Sequence, residues 1–355
     1  MNPSLSSGKK PIRVLVVDDA ALVRDILIQG LSLDPMIEIV GTAADPYIAR
    51  DKIVELKPDV ISLDVEMPKM DGVEFLRRLM PQYPLPVVMV SSLTQRGKQI
   101  TLDALEAGAV DFVPKPTSNI AHGLDAMLRE LRAKIKIAST VNVSHWKNKK
   151  SVKPAGVIKG SKALAESTDK VIAIGASTGG TEAIKTVVAR FPATMPGVVI
   201  AQHMPAGFTN SFAKRLNELC SMDVKEAESG ERVVPGRIFI APGDYHMTVV
   251  RSGGHYKVKC DQGEKVNGHR PSVDVLLHSV AQNVGASAVG VMLTGMGSDG
   301  SDGMLAMRKT GAKNVAQDKA TSVVFGMPKE AYERGGAERL LSIDEIAPAV
   351  MELLS

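Results

Sequence analysis

Two cysteines, one tryptophan and no apolar run of eighteen residues are the first constraints on this 355-residue chain. Cys220 and Cys260 are too few for a disulfide scaffold and do not have metal-ligand spacing, which points to a reducing, cytoplasmic setting. Aromatic residues make up 4% of the chain and Trp146 is the single tryptophan, so a stacking platform for single-stranded nucleic acid is excluded. Without a long apolar run, no membrane-spanning helix and no direct membrane insertion is expected. The apolar run Val14–Val17 stops at Asp18-Asp19, too short for a secretory signal. No short-period repeat is present. Nor is there an excess of one charge where a partner would read it. Residues 1–138 carry 17 basic and 18 acidic side chains, residues 139–170 carry 7 and 2, and residues 171–355 carry 19 of each. The surplus is confined to one short stretch, which argues against a nucleic-acid surface on either side of it.

What is present is ordinary globular composition, 44% hydrophobic and 23% charged, enough for two domains of about 100–200 residues each. After an N-terminal extension, residues 1–11, β-branched runs alternate with amphipathic patterns across 12–138. Strands are expected at Ile12–Val17, Glu38–Thr42, Val60–Leu63, Val87–Ser91 and Asp111–Val113. Helices are expected near 20–33, 46–57, 71–80, 99–107 and 121–138. Five βα units imply a flavodoxin-like, doubly wound parallel sheet. Residues 139–168 show neither period and read as a basic flexible linker. A patch for polyanions is the alternative, supported by six lysines but by no arginine and no repeated aromatics. The α/β pattern restarts at 169–355, interrupted by a hairpin signal in which Ser252-Gly253-Gly254 separates two β-rich runs. A mixed sheet with a β-hairpin insertion is expected there.

Polar residues collect where strands end, which in open α/β sheets is where ligands bind. In the first domain these are Asp18 and Asp19, Asp64, Ser91 and Lys115. Three clustered carboxylates repel one another unless a hard cation such as Mg²⁺ neutralises them. A hydroxyl and an ammonium on the same edge suit phosphoryl oxygens, so phosphoryl transfer to an aspartate is the implied chemistry. Helix capping by Asp18 or Asp19 accounts for one acid but not for the set. The stretches VLVVDDAALVRD, LDVEMPKMDGVEFL, VVMVSS and AGAVDFVPKP strongly resemble response-regulator receiver domains. That resemblance implies Asp64 as phosphoacceptor, with Asp18, Asp19, Asp64 and the Glu66 backbone around Mg²⁺. It also implies Ser91 and Lys115 as phosphoryl contacts and Phe112 as the aromatic switch residue.

In the second domain Val171–Ile174 leads into GASTGG at 175–180. The spacing fails a dinucleotide fingerprint, and a P-loop lysine is missing. It fits G-x-S-x-G between strand and helix, which lifts Ser177 above the sheet edge and aims the Thr178 N–H at a developing oxyanion. A structural glycine turn is the competing reading. A serine nucleophile needs a base and an orienting acid. His203 follows an apolar strand directly, while His246 and His269 are loop-adjacent runners-up. His278 falls in a helical pattern, His255 at the hairpin turn, and His122 and His145 outside the domain. Asp299 sits in the glycine-rich loop after strand 288–293; Asp244 and Asp274 end no core strand.

IAIGASTGGTEA, VIAQHMPAGFT, GRIFIAPGDYHM, NGHRPSVDVL and VMLTGMGSDGSDGM closely resemble the catalytic domain of chemotaxis protein-glutamate methylesterases, the CheB family. The resemblance implies Ser177, His203 and Asp299 as a triad and the Met296 N–H as a second oxyanion donor. It further implies a phosphorylation-activated serine hydrolase that needs no cofactor for hydrolysis. Its substrates would be glutamyl methyl esters, and also glutamines, on methyl-accepting chemoreceptors, and its phosphodonor a chemotaxis histidine kinase. The rival is a regulator without catalysis, such as a DNA-binding output module. That would show a helix-turn-helix and a basic face, and 171–355 shows neither.

Overall fold

Five aliphatic runs become five parallel strands, β1 (Ile12–Val17), β2 (Ile37–Ala43), β3 (Val60–Asp64), β4 (Val87–Ser91) and β5 (Asp111–Pro114), in the order β2-β1-β3-β4-β5. They belong to a computed structural model that describes residues 10–116, 120–148, 156–158 and 169–354. The chain divides into two units, Met1–Ser151 and Val152–Ser355. In the first, helices α1 (Ala21–Leu31), α2 (Pro46–Leu56), α3 (Gly72–Gln82), α4 (Gln95–Glu106) and α5 (Ile120–Ala138) link or follow the strands. Every residue of β3 and β4 is buried, as expected for a sheet covered on both faces. Asp45 caps α2 by accepting from the Tyr47 and Ile48 N–H groups, and Asp71 caps α3 through Glu74 N–H. Helix α4 begins four residues before its expected start. Its first turn, Gln95–Lys98, carries no apolar residue to set a period, and Thr94 starts it by accepting from Gly97 N–H.

The first unit extends past residue 138. Residues Ser144–Asn148 form a short 3-10 helix inside the stretch expected to be linker. Trp146 lies over Gly108, where a methyl group would stand 2.9 Å from the indole and 3.1 Å from the Met80 terminal carbon. Ile158 N–H donates to the Arg190 carbonyl at 3.0 Å, so a second piece of that stretch is tied to the second unit. Residues 149–155 and 159–168 of the expected linker, and 1–9 of the expected extension, lie outside the described residues.

The second unit carries β6 (Val171–Ala176), β7 (Gly197–Gln202), β8 (Asp223–Glu226), β9 (Arg237–Ile240), β12 (Ala288–Met292), β13 (Lys313–Gln317) and β14 (Arg339–Leu341) in one sheet, with β10 (His246–Ser252) and β11 (His255–Asp261) apart. Its helices are α6 (Gly180–Val188), α7 (Phe208–Leu219), α8 (Val273–Asn283), α9 (Ser301–Lys309), α10 (Met327–Glu333) and α11 (Ile343–Leu353). The expectation of a mixed sheet is corrected. The seven strands run β14-β13-β12-β6-β7-β9-β8, every pair parallel, and β10–β11 form a separate antiparallel pair. Its tight turn lets the hairpin satisfy its own ladder. Met247, Val249, Tyr256 and Val258 join the core with Val273, Leu276 and Val280 of α8, so the hairpin caps a helix and leaves the sheet edges alone.

Strands β8, β13 and β14 and helix α10 carry little sequence signal. Strand β8 is a polar edge, and β14 has three residues. Strand β13 buries Asn314 and Gln317, whose amides are bonded to backbone: Asn314 Nδ2 donates to the Met304 and Gly336 carbonyls, and Gln317 Oε1 accepts from Thr294 N–H. The order of strands matters more than their number. Strand β6 lies between β7 and β12, so three carboxyl ends meet at one place.

Gly108 has φ +114°, which side chains rarely adopt, and no room for a methyl. Gly108→Ala should destabilise the first unit by about 1–3 kcal/mol. Trp146, the single tryptophan, reports this directly: the urea midpoint by tryptophan fluorescence should fall. An unchanged midpoint would show that the 3-10 helix is not packed against Gly108 and α3.

Candidate active site

The turn after β6 is set by glycine. Gly179 has φ +77°, and Gly180 N–H donates to the Ser177 carbonyl at 2.7 Å, closing the turn that opens α6. Ser177 N–H donates to the Thr294 carbonyl beyond β12, and His203 N–H donates to the Ala176 carbonyl on β6. These two bonds fasten the ends of β7 and β12 to the turn at Ser177. The result is a continuous chain. His203 Nδ1 is 3.2 Å from Ser177 Oγ, and His203 Nε2 is 2.8 Å from Asp299 Oδ2. With the Nε2 proton donated to Asp299, the Nδ1 lone pair faces the serine hydroxyl, the tautomer a base requires.

Asp299 is 2% exposed. Burial alone would raise its carboxyl, but hydrogen bonds and the charge interaction from His203, with Asn267 and Ser272, hold it well below the usual carboxylate range. Oδ1 accepts from Asn267 Nδ2 and Ser272 Oγ, both at 2.8 Å, and Oδ2 accepts from Val273 N–H at 2.6 Å. The Val273 N–H belongs to the first turn of α8, where the helix dipole also favours negative charge.

The other expected candidates fall into supporting places. His246 accepts from Ser272 N–H at Nδ1 and donates from Nε2 to the Glu264 carbonyl, which holds the loop before α8. The His269 ring stacks on His203, 3.7 Å between ring centres and 10° between planes. Asp274 shares the Asn267 amide, and burial raises its carboxyl despite the Gly303 N–H bond. Asp244 is paired with Arg270 at 2.6 Å. His278 is exposed on α8, and His255 stands at the hairpin turn. The His122 and His145 side chains lie outside the described residues. Burial pushes Cys220 up to about 12 and Cys260 up to about 11, so neither thiol is a ready nucleophile. Asn267 and Ser272 were not singled out by sequence reasoning. Ser272 had a signal, a serine immediately before the apolar helix Val273–Asn283.

Of the two expected oxyanion donors, Thr178 lies beside Ser177 at the entrance to α6. Met296 N–H has no hydrogen-bond partner among the described residues. A methyl on Gly295 would stand 2.8 Å from Ser177 Cβ, so the main chain leading to Met296 presses against Ser177.

The first unit brings together Asp18, Asp19 and Asp64, with one carboxylate oxygen of each within 4.8 Å of the others. Lys115 Nζ reaches Asp18 at 3.0 Å and Asp64 at 2.9 Å. Burial pushes Asp64 up to about 6, with Lys115 opposing the rise and Asp18 adding to it. An all-oxygen, partly buried carboxylate set fits a hard divalent cation. Glu66 lies two residues past Asp64. Ser91 ends β4 beside Lys115, and its hydroxyl is bonded to Thr101 Oγ1 and the Gly97 carbonyl of α4. Phe112 is buried, with the Lys134 ammonium 5.4 Å from its ring centre. Burial would lower Lys134, but Asp111 and Glu130 push it up to about 12.

Comparison with known proteins assigns each unit to a family. Residues 172–350 match the CheB methylesterase family, and residues 14–128 match the response regulator receiver domain. The chain is 71% identical over 347 residues to a protein-glutamate methylesterase/protein-glutamine glutaminase of Syntrophotalea carbinolica, covering 98% of each. It is 55% identical to the protein of the same name in Sulfurimonas denitrificans, covering 97% of this chain and 99% of that one. The solved CheB methylesterase catalytic domain of Thermotoga maritima is 40% identical, with a TM-score of 0.51, and covers 52% of this chain and 98% of that one. The chain belongs to the CheB methylesterase family, as an enzyme with a response regulator receiver domain ahead of its catalytic domain.

Proposed function

We propose that the second unit hydrolyses γ-glutamyl methyl esters on the cytoplasmic parts of chemoreceptors. The observation that carries this reading is the unbroken Ser177–His203–Asp299 chain. Ser177 Oγ attacks the ester carbonyl while His203 Nδ1 takes its proton. The N–H groups of Thr178 and Met296 receive the oxyanion. His203 returns the proton to the leaving methoxide, methanol departs, and the glutamyl group remains on Ser177. Water, deprotonated by His203, then cleaves that ester to the glutamate carboxylate. Asp299 holds the ring and stabilises its charged form throughout. With a glutamine side chain the same steps release ammonia, which supports receptor deamidation as a second activity. The names of the relatives support both substrates.

The first unit takes a phosphoryl group on Asp64 from a histidine kinase. Asp18, Asp19, Asp64 and the Glu66 carbonyl would hold Mg²⁺, which offsets the negative charge of donor and acceptor during transfer. Lys115 and Ser91 receive phosphoryl oxygens, and Phe112 responds. For Ser91 this means exchanging its bond to Thr101, which connects the phosphorylation state to α4. None of the described helices is long and apolar enough to cross a membrane.

Ser177→Ala should lower methanol release from methylated receptor membranes by about 10⁴-fold or more, with the urea midpoint unchanged. Retained turnover would move the nucleophile elsewhere. Asp64→Asn should abolish labelling by a small phosphodonor with Mg²⁺ and remove phosphodonor stimulation of the esterase, while basal hydrolysis persists; full labelling of the variant would rule out Asp64. Mg²⁺ should raise the melting temperature read by Trp146 fluorescence in the wild type. Asp18→Asn should reduce that rise, and an undiminished rise would place the ion elsewhere.

A further inference from the structure

We infer that Gln202 is a positioning residue that sets the spacing between nucleophile and base; this rests on reading Ser177 and His203 in those roles. Gln202 is the last residue of β7 and is 3% exposed. In the parallel register it pairs with Ala176, the residue before Ser177. Its side-chain amide has two N–H donors, and both go to the carbonyls of the two reacting residues. Nε2 donates to the Ser177 carbonyl at 2.9 Å and to the His203 carbonyl at 3.1 Å. One planar group thereby joins the turn after β6 to the turn after β7, directly beneath the 3.2 Å approach of His203 Nδ1 to Ser177 Oγ.

The other half of the amide shows that this arrangement is not general filling. Gln202 Oε1 is buried and has no hydrogen-bond partner among the described residues. Flipping the amide would set that oxygen against two carbonyl oxygens, so the two acceptors fix its direction and leave Oε1 unsatisfied. An apolar side chain of similar volume would leave no orphaned acceptor there, yet the position holds an amide. The neighbouring helix is shaped to the same group. A methyl on Gly180 would stand 2.1 Å from Oε1 and 2.7 Å from Ala176 Cβ, so the first residue of α6 must be glycine for the amide to keep its place. Nucleophile turn, base turn and helix entrance are thus indexed to one side chain that touches no reacting atom.

The test uses the full-length chain, methylated receptor membranes and a fluorophosphonate that labels the active serine. Gln202→Met keeps the volume and removes both donors. The expected result is a fall in kcat of about 10- to 100-fold with KM within about twofold. Ser177 labelling should slow by a similar factor, and phosphodonor labelling of Asp64 should be unchanged. Gln202→Glu, which keeps the shape and removes the amide donors, should show the same split. Wild-type kcat in either folded variant, or a raised KM with unchanged kcat, overturns the proposal. So does failure of both variants to fold, which would make the amide a folding element. Failure of the underlying reading is visible separately, as turnover or serine labelling that survives Ser177→Ala.

Discussion

A carboxylate out of reach of water stays charged only if donors take the place of its hydration, and much of the catalytic edge is organised around meeting that demand at Asp299. Its two oxygens receive a ring N–H, a side-chain amide, a hydroxyl and the first-turn N–H of α8. Each donor has its own support. His246 fixes Ser272, Asn267 is shared with Asp274, and His269 covers the far face of the ring that Asp299 orients. Within the loop from Gln262 to Ser272, Asn267 and Ser272 serve that anion, while Gln262 and Arg270 bond Asp244.

Asp64 is buried to a similar degree and meets the opposite fate. It has one backbone donor, Val65 N–H, and shares Lys115 with Asp18. Its carboxyl is pushed up to about 6 where that of Asp299 is held down. The contrast is in keeping with the roles proposed for the two acids. An orienting acid must keep one charge state through every turnover, so its surroundings are complete. An acceptor of a phosphoryl group must gain charge and lose it again, so its surroundings are left open to a cation and to incoming oxygens.

The strand ends were legible because parallel strands declare themselves by short aliphatic runs, and the polar residue that interrupts each run is already at the carboxyl edge. Ser177, His203, Asp299, Asp18, Asp64 and Lys115 were all reached in that way. Asn267 was not, because it acts from an irregular loop whose path depends on the β10–β11 hairpin and α8, not on any local period. Gln202 follows the run Val198–Ala201 directly, but a neutral amide there carries no proton or charge chemistry of its own and gives way to His203 beside it. Strands β8, β13 and β14 escaped for the reverse reason: their residues are polar or too few to repeat. The mixed sheet was a wrong inference from a correct hairpin, since antiparallel pairing in the sequence does not say which sheet the pair joins.

Ser272 carries the plainest economy of the fold. Its hydroxyl oxygen accepts from Val275 N–H to start α8, and its hydroxyl proton goes to Asp299. A single atom therefore serves the folding of a core helix and the charge of Asp299. Selection for a sturdier protein and selection for a faster one meet at that oxygen with the same requirement. The usual trade between rigidity and activity has no purchase there: drift at this position is closed from both sides, and a library sorted only for heat resistance would retain the Ser272–Asp299 contact without ever being asked for activity.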